Sequence, residues 1–252
     1  MIEIGSNSIS FETLTNQMDL NGDKKTIAYI LASSDYVYRY ASEDYLKFEL
    51  DLRKSIINAA ISLNRSRFSF RVFRKSRCNP DYWSRTNEGG FLLQNNVKPS
   101  DAINDIYTNS SSYATECSTA MVIVYYKALV DVLPKELFNS LFPEIYLMNW
   151  QHLDRDIGIV DYPNVHDYLP GDGRYFKNPD VDPMTPEWQG ENVFDLGDGY
   201  YYGHGIGIGS GETIISELNK YRIENAERSA YLLDSAKRPN FKHLADKYLS
   251  FI

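Results

Sequence analysis

Apolar residues recur at helical spacing from Ser42 onward. Tyr45, Phe48, Leu52, Ile56, Ala59, Ala60 and Leu63 fall on one stripe, with Ser42 at the N-cap and Glu43 and Asp44 in the first turn. The pattern predicts a long amphipathic helix. Residues 68–73 alternate apolar and polar side chains, which predicts a strand closed by the turn residues Asn79-Pro80-Asp81. Pro99 and Ser100, ahead of Ala102, Ile103 and Ile106, predict a second helix. Between residues 115 and 133, Ala120, Met121, Val124, Ala128 and Val132 keep helical spacing amid so much further apolar surface that this helix must be nearly surrounded. It is the expected central helix. Residues 144–150 read as a buried strand, and residues 173–177 as another, ended by Asn178-Pro179.

Residues 192–196 and 200–203 flank Gly197-Asp198-Gly199, a turn sequence suited to a β-hairpin. A turn centred on Asp198 sets Glu191 opposite or next to His204 across the two strands. Side-chain alternation turns Glu191, Val193 and Asp195 one way and Phe194 and Leu196 the other, toward the core. Ser210 or Gly211 starts a last helix carrying Ile214, Ile215, Leu218 and Tyr221, followed by a short strand over residues 229–233. Helices first and mostly strands later indicate an α+β fold with a mainly antiparallel sheet. Residues 1–40 mix short apolar pieces with Asn, Asp, Gly and Ser, and are expected to be a peripheral segment of a single 252-residue domain.

Composition narrows the function. A 43% hydrophobic and 24% charged chain is an ordinary globular protein, which removes disordered and fibrous classes. A net charge of −8 repels polyanions, so nucleic acid is not an expected partner. Twenty Tyr, 12 Phe and 3 Trp exceed what a core needs and suit extended, peptide-like partners. The longest apolar run, residues 120–126, falls far short of the roughly 18–20 residues of a membrane span. The opening Met-Ile-Glu-Ile-Gly-Ser carries no basic or apolar signal region, so the chain is expected to stay in the cytoplasm where it is made.

Familiar binding motifs fail on spacing. Asp19-Leu20-Asn21-Gly22-Asp23 has its glycine too early for a calcium loop and reads as a surface turn. Gly205, Gly207, Gly209 and Gly211 give no dinucleotide fingerprint, and His152, His166, His204 and His243 have no zinc spacing. The expectation is chemistry without cofactor or metal. Two cysteines, Cys78 and Cys117, remain as lone thiols. Cys78, beside a proline turn, reads as packing. Cys117 lies in the first turn of the central helix, where free N–H groups and the macrodipole should ease its ionisation, the layout of thiol acyl-transfer enzymes. Spacing alone leaves it open between a nucleophile and a packed thiol. Glu116 opposes that ionisation if charged, or is simply a favourable first-turn carboxylate. Glu191 and His204 read either as a functional acid–imidazole pair or as a surface ion pair of small energy.

The run Tyr113-Ala114-Thr115-Glu116-Cys117-Ser118-Thr119-Ala120-Met121-Val122-Ile123-Val124-Tyr125-Tyr126, with Ala128, Leu129 and Asp131 after it, resembles the active-site segment of the spore-coat protein-glutamine γ-glutamyltransferases of bacilli. Tyr175-Phe176-Lys177-Asn178-Pro179, Trp188, Gly190-Glu191-Asn192-Val193, His204-Gly205 with Gly207 and Ile208, and Ser229-Ala230-Tyr231-Leu232-Leu233 resemble the same family in the same order. The resemblance implies a papain-like α+β fold and a catalytic Cys117 working with Glu191, while the roles of Glu116 and His204 are less settled. It implies a Cys117 thioester opened by lysine to form ε-(γ-glutamyl)lysine cross-links between coat proteins with exposed glutamine and lysine on the spore; because no spacing provides a calcium site, that activity is expected to be calcium-independent. Trp150 and Trp188 are the expected walls of a passage that excludes water. Asn149 departs from the Asp-Trp expected at 149–150. The rival readings are a cysteine peptidase or amidase with water as acceptor, and a non-catalytic coat scaffold.

Overall fold

The computed structural model describes all 252 residues, the side chain of Gln151 excepted. Residues 1–40 build more than a peripheral segment. Strands β1 (Ile2–Ile4) and β2 (Asn7–Ile9), helices α1 (Phe11–Gln17) and α2 (Gly22–Ser33), and strand β3 (Tyr38–Tyr40) make a three-stranded sheet in the order β2-β1-β3 with two helices on it. Ile2, Leu14, Ile27, Ala28 and Leu31 form its own buried cluster, which closes on Leu46 and Leu50 of the helix that follows. Strands of three residues leave too short an alternation to be read from sequence.

That helix, α3 (Glu43–Arg65), has Ser42 at its N-cap and buries Phe48, Leu52, Ile56, Ala59, Ala60 and Leu63 as the stripe requires. The strand expected over residues 68–73 shortens to β4 (Ser69–Phe70), followed by a 3₁₀ turn at Phe73–Lys75. The Arg85 guanidinium holds the Phe73 and Ser76 carbonyls there, replacing ladder bonds. Strands β5 (Trp83–Arg85) and β6 (Phe91–Leu93) form a hairpin, and Pro99 opens α4 (Pro99–Thr108).

Strand β7 (Ala114–Thr115) pairs with β4 and leads directly into α5 (Cys117–Val132). Ser118 to Tyr126, Ala128 and Leu129 are all buried, so α5 is the central helix, packed between α3, α4 and the main sheet. After α6 (Lys135–Leu141), residues 144–150 give only the short strand β8 (Tyr146–Leu147), which pairs with Phe91 and Leu92 of β6, the Leu93 N–H adding a bond to the Ile145 carbonyl.

The main sheet comprises β9 (Val160–Tyr162), β10 (Gly173–Lys177), β11 (Gly190–Gly197), β12 (Tyr200–Gly203), β13 (Gly207–Ser210), β14 (Tyr231–Leu232) and β15 (Ala236–Arg238). Its order is β13-β12-β11-β10-β15-β9 with β14 beside β10, antiparallel throughout. Phe194 and Tyr202 turn one face toward α3 and α5, while Val193, Tyr201 and Phe176 turn the other toward α7 (Gly211–Asn219), which is capped by Ser210. Tyr221 lies past the end of α7. A further helix not foreseen from sequence, α8 (Phe241–Phe251), follows and buries Leu244 and Ala245 against α3. Among the described residues no helix is long and apolar enough to cross a membrane.

Candidate active site

The start of α5 and the start of β11 meet at a cavity of about 440 Å³ lined by Phe70, Val72, Phe73, Glu116, Cys117, Ser118, Tyr175, Asn192 and their neighbours. Cys117 is partly exposed on it. The hairpin register is the one its turn demanded: Val193 pairs with Gly203 and Phe194 with Tyr202. Continued outward, it brings Gly205 rather than His204 opposite Glu191. Glu191 is 2% exposed, and its Oε1 accepts the Gly205 N–H at 2.9 Å. A side chain at position 203 could not coexist with it, since a Cβ on Gly203 would lie 2.7 Å from Glu191 Cγ. Burial lifts the Glu191 carboxyl to about 8, the Gly205 N–H opposing and the Glu116 charge adding to the rise.

His204 therefore does not pair with Glu191. Its Nδ1 meets Tyr202 Oη at 3.1 Å, its ring packs on Phe68 with centroids 4.8 Å apart, and its buried Nε2 has no hydrogen-bond partner. Burial pushes the imidazole down to about 4, against the carbonyls of Ser69 and Thr115, so it is neutral at physiological pH. A neutral ring can orient or pack, but it cannot hold a thiolate as an ion pair.

The thiol departs from its expected electrostatics. Glu116 is the N-cap of α5, and its carboxylate accepts the Ser118 N–H at 2.8 Å, the Thr119 N–H at 2.7 Å, and both hydroxyls. Those are the donors a thiolate at a helix start would have used. Burial, then the charges of Glu191 and Glu116, push the Cys117 thiol well above its ordinary value, while the side-chain and backbone N–H groups of Asn192 pull it back. The resting sulfur is thus a neutral thiol that feels the charge of the Glu191 carboxyl. Replacing Glu116 by Gln should move the pH profile of Cys117 alkylation by iodoacetamide to lower pH, because one like charge is removed. An unmoved or upward-moved profile would contradict this account of the thiol.

Asn192 is the group that the sequence reasoning passed over. Alternation puts it on the Phe194 face of β11, the face turned to α5, and its Nδ2 sits 3.7 Å from Cys117 Sγ. Trp150 and Trp188 do not form the immediate walls. Trp188 stacks on Tyr221 at 4.1 Å and reaches the cavity only through Phe70, 6.2 Å away, while Trp150 packs edge-on against Tyr125. Asn149 supplies the wall instead, with Tyr175 and the stretch from Pro186 to Gly190. Cys78 lies apart, raised to about 11 by burial and directed at the Trp83 carbonyl, as a packing thiol would be. Among the described residues no group of three or more His, Cys, Asp or Glu side chains has a metal-binding arrangement.

Comparison with known proteins adds to this geometry. A family model described as protein-glutamine gamma-glutamyltransferase matches residues 1–248. The protein-glutamine gamma-glutamyltransferases of Bacillus cereus (strain AH820) and Bacillus mycoides (strain KBAB4) are each 45% identical over 239 residues, 94% of this chain and 86% of theirs. The solved structure of the transglutaminase from Geobacillus stearothermophilus, without its C-terminal extension, is 50% identical with a TM-score of 0.78, covering 82% of this chain and 98% of that one.

Proposed function

We propose, for a chain that belongs to the protein-glutamine γ-glutamyltransferase family, that Cys117 is the nucleophile and Glu191 the proton carrier of its cross-linking reaction. The enzyme is a transglutaminase whose substrates are proteins with accessible glutamine and lysine. What supports the site reading is the start of α5 meeting β11, where Asn192 contacts Cys117 Sγ at 3.7 Å and the adjoining Glu191 is 2% exposed, its carboxyl lifted by burial and the thiol held neutral. Deprotonated Glu191 accepts the thiol proton as Sγ bonds to the carbonyl carbon of the glutamine side-chain carboxamide. Protonated Glu191 then gives that proton to the departing nitrogen, the C–N bond breaks and ammonia leaves a thioester. In the second half a neutral lysine amine attacks, Glu191 takes its proton, and the proton returns to sulfur as the S–C bond breaks. A carboxyl poised near neutral pH serves both directions, which one at the usual value would do poorly.

Asn192 steadies negative charge on the sulfur, Glu116 caps the helix that presents it, and His204 with Tyr202 backs, as a neutral pair, the turn whose Gly205 N–H binds Glu191. Phe70, Val72, Phe73, Tyr175 and Pro186 give the cavity an apolar lining that favours aminolysis over hydrolysis, with Trp188 behind Phe70. The chemistry calls for no metal. We place the enzyme on the forming spore coat, with coat proteins as its substrates, after synthesis in the cytoplasm; the Bacillus relatives support that assignment.

Incubating a glutamine peptide with an isotopically labelled primary amine and weighing the product tests the reaction. Incorporation of the amine is expected, unchanged by a chelator. A product heavier by only about one dalton would mean that water opens the thioester and the enzyme is an amidase. Loss of turnover on chelation would overturn the metal-free mechanism.

A further inference from the structure

Building on Cys117 as the acyl-accepting nucleophile, we propose that residues 65–77 form a cationic wall that selects glutamines flanked by Asp and Glu. Arg65, Arg67, Arg71, Arg74, Lys75 and Arg77 lie within this stretch, and the first acid after it is Asp81. All six are exposed, in a protein of net charge −8. Several cations elsewhere meet carboxylates, as in Lys24–Asp51, Lys135–Asp101 and Arg228–Asp180. Among the described residues none of these six does.

Placement makes the cluster a candidate site. Phe70, Val72 and Phe73, interleaved with the cations, line the cavity that holds Cys117. The stretch is tied to the strand just before the nucleophile: Arg71 N–H donates to the Thr115 carbonyl at 2.8 Å, and Arg77 and Ala114 exchange N–H···O bonds at 2.8 and 2.9 Å. From behind, Arg85 holds the Phe73 and Ser76 carbonyls, and Ser76 Oγ donates to the Gly89 carbonyl at 2.7 Å. A Cβ at Gly89 would lie 2.1 Å from the Phe73 oxygen, so this backing is close. The backbone that carries these charges is thus held beside the cavity.

A lysine ammonium is repelled by such a wall, and an acidic segment is drawn to it and concentrated there. The acyl donor therefore docks along residues 65–77. The cavity lining also includes Pro186, Gln189 and Glu187, whose exposed carboxylate makes the better approach for the amine.

The test uses three glutamine peptides with Asp/Glu, Ser or Lys flanks, one amine acceptor, and kcat/KM at low and high salt. At low ionic strength the acidic peptide should exceed the Ser peptide by about tenfold, mainly through KM, with the Lys peptide lowest. The ratio should fall toward unity at high salt, where screening shortens to a few ångströms. It should do the same at low salt in an R71E/R74E/K75E variant; the ratio within one variant cancels any general loss of activity. Equal rates for acidic and Ser peptides in the unmodified enzyme would overturn the proposal, as would a ratio that ignores salt and the triple substitution. A short oligonucleotide or polyphosphate binding tightly to the wall, without any acidic-peptide preference, would assign the surface to another polyanion and also overturn it. Failure of amine transfer to all three peptides would instead sink the reading of Cys117, and the wall's assignment to glutamine substrates with it.

Discussion

Cys117→Ala should abolish amine incorporation, with a fall of at least ~10⁴-fold, and leave the fold intact, because the thiol is partly exposed and makes one long contact to Asn192. Glu191→Gln should cost about 10²–10⁴-fold, the range for a lost general acid–base. The two variants separate by pH. In the unmodified enzyme kcat/KM should rise as Glu191 deprotonates near pH 8; in Glu191→Gln that limb should disappear. Stability supplies a second readout with a definite sign. The folded carboxyl titrates near 8 and the unfolded one near 4.5, so between those values the folded state holds the extra proton, and stability falls as pH rises. Glu191→Gln keeps an acceptor for the Gly205 N–H and has nothing to ionise. It should melt higher than the unmodified enzyme above pH 8 while being nearly inactive. A Gln variant that melts lower at that pH, or retains the limb, would remove Glu191 from the proposed role.

That combination, stabilising yet inactivating, is the mark of a group held in an unfavourable environment for its chemistry. The sequence carried the parts of this arrangement that depend on backbone periodicity. The stripe from Tyr45 located α3, the apolar run after Cys117 located α5, and Gly197-Asp198-Gly199 set the hairpin register, because its three residues take positive φ and leave the strands one way to pair. What depends on the direction of single side chains was not legible. Register alone put His204 near Glu191, but an imidazole one residue from the paired position faces away, toward Phe68. The helix-dipole reasoning for Cys117 counted backbone donors without seeing that Glu116 consumes them. Residues 1–40 were opaque because β1, β2 and β3 are three residues each, and their cluster closes only through Leu46, Leu50 and the distant Leu169. The cavity takes its lining from the smaller Asn149 and Val72 and from Phe70, positions that carry no aromatic or apolar signal strong enough to stand out beside two tryptophans.

The largest effect on stability should come from Asp172, far from any chemistry. Its carboxylate, 0% exposed, accepts Arg53 Nη1 at 2.8 Å, Arg238 Nε and Nη2 at 2.7 Å each, and the Leu169 N–H at 3.0 Å. Arg53, 1% exposed, is held on its other side by Glu49 and lies against the Phe241 ring. One carboxylate thus joins α3, the approach to β10 and β15. Burial alone would raise its pKa, but the two guanidinium groups keep it below the usual carboxylate value. This contribution is therefore present above about pH 4 and is lost as pH falls through the folded pKa. Asp172→Ala leaves the buried Arg53 guanidinium with Glu49 as its one carboxylate, and breaking a buried pair in this way costs about 3–5 kcal/mol. For a chain of this size that is on the order of 10 °C in melting temperature. Asp101→Ala, which severs the exposed Lys135 pair, should cost under ~1 kcal/mol and serves as the control. Equal melting temperatures for the two variants near neutral pH would show that the Asp172 cluster contributes no more than a surface contact.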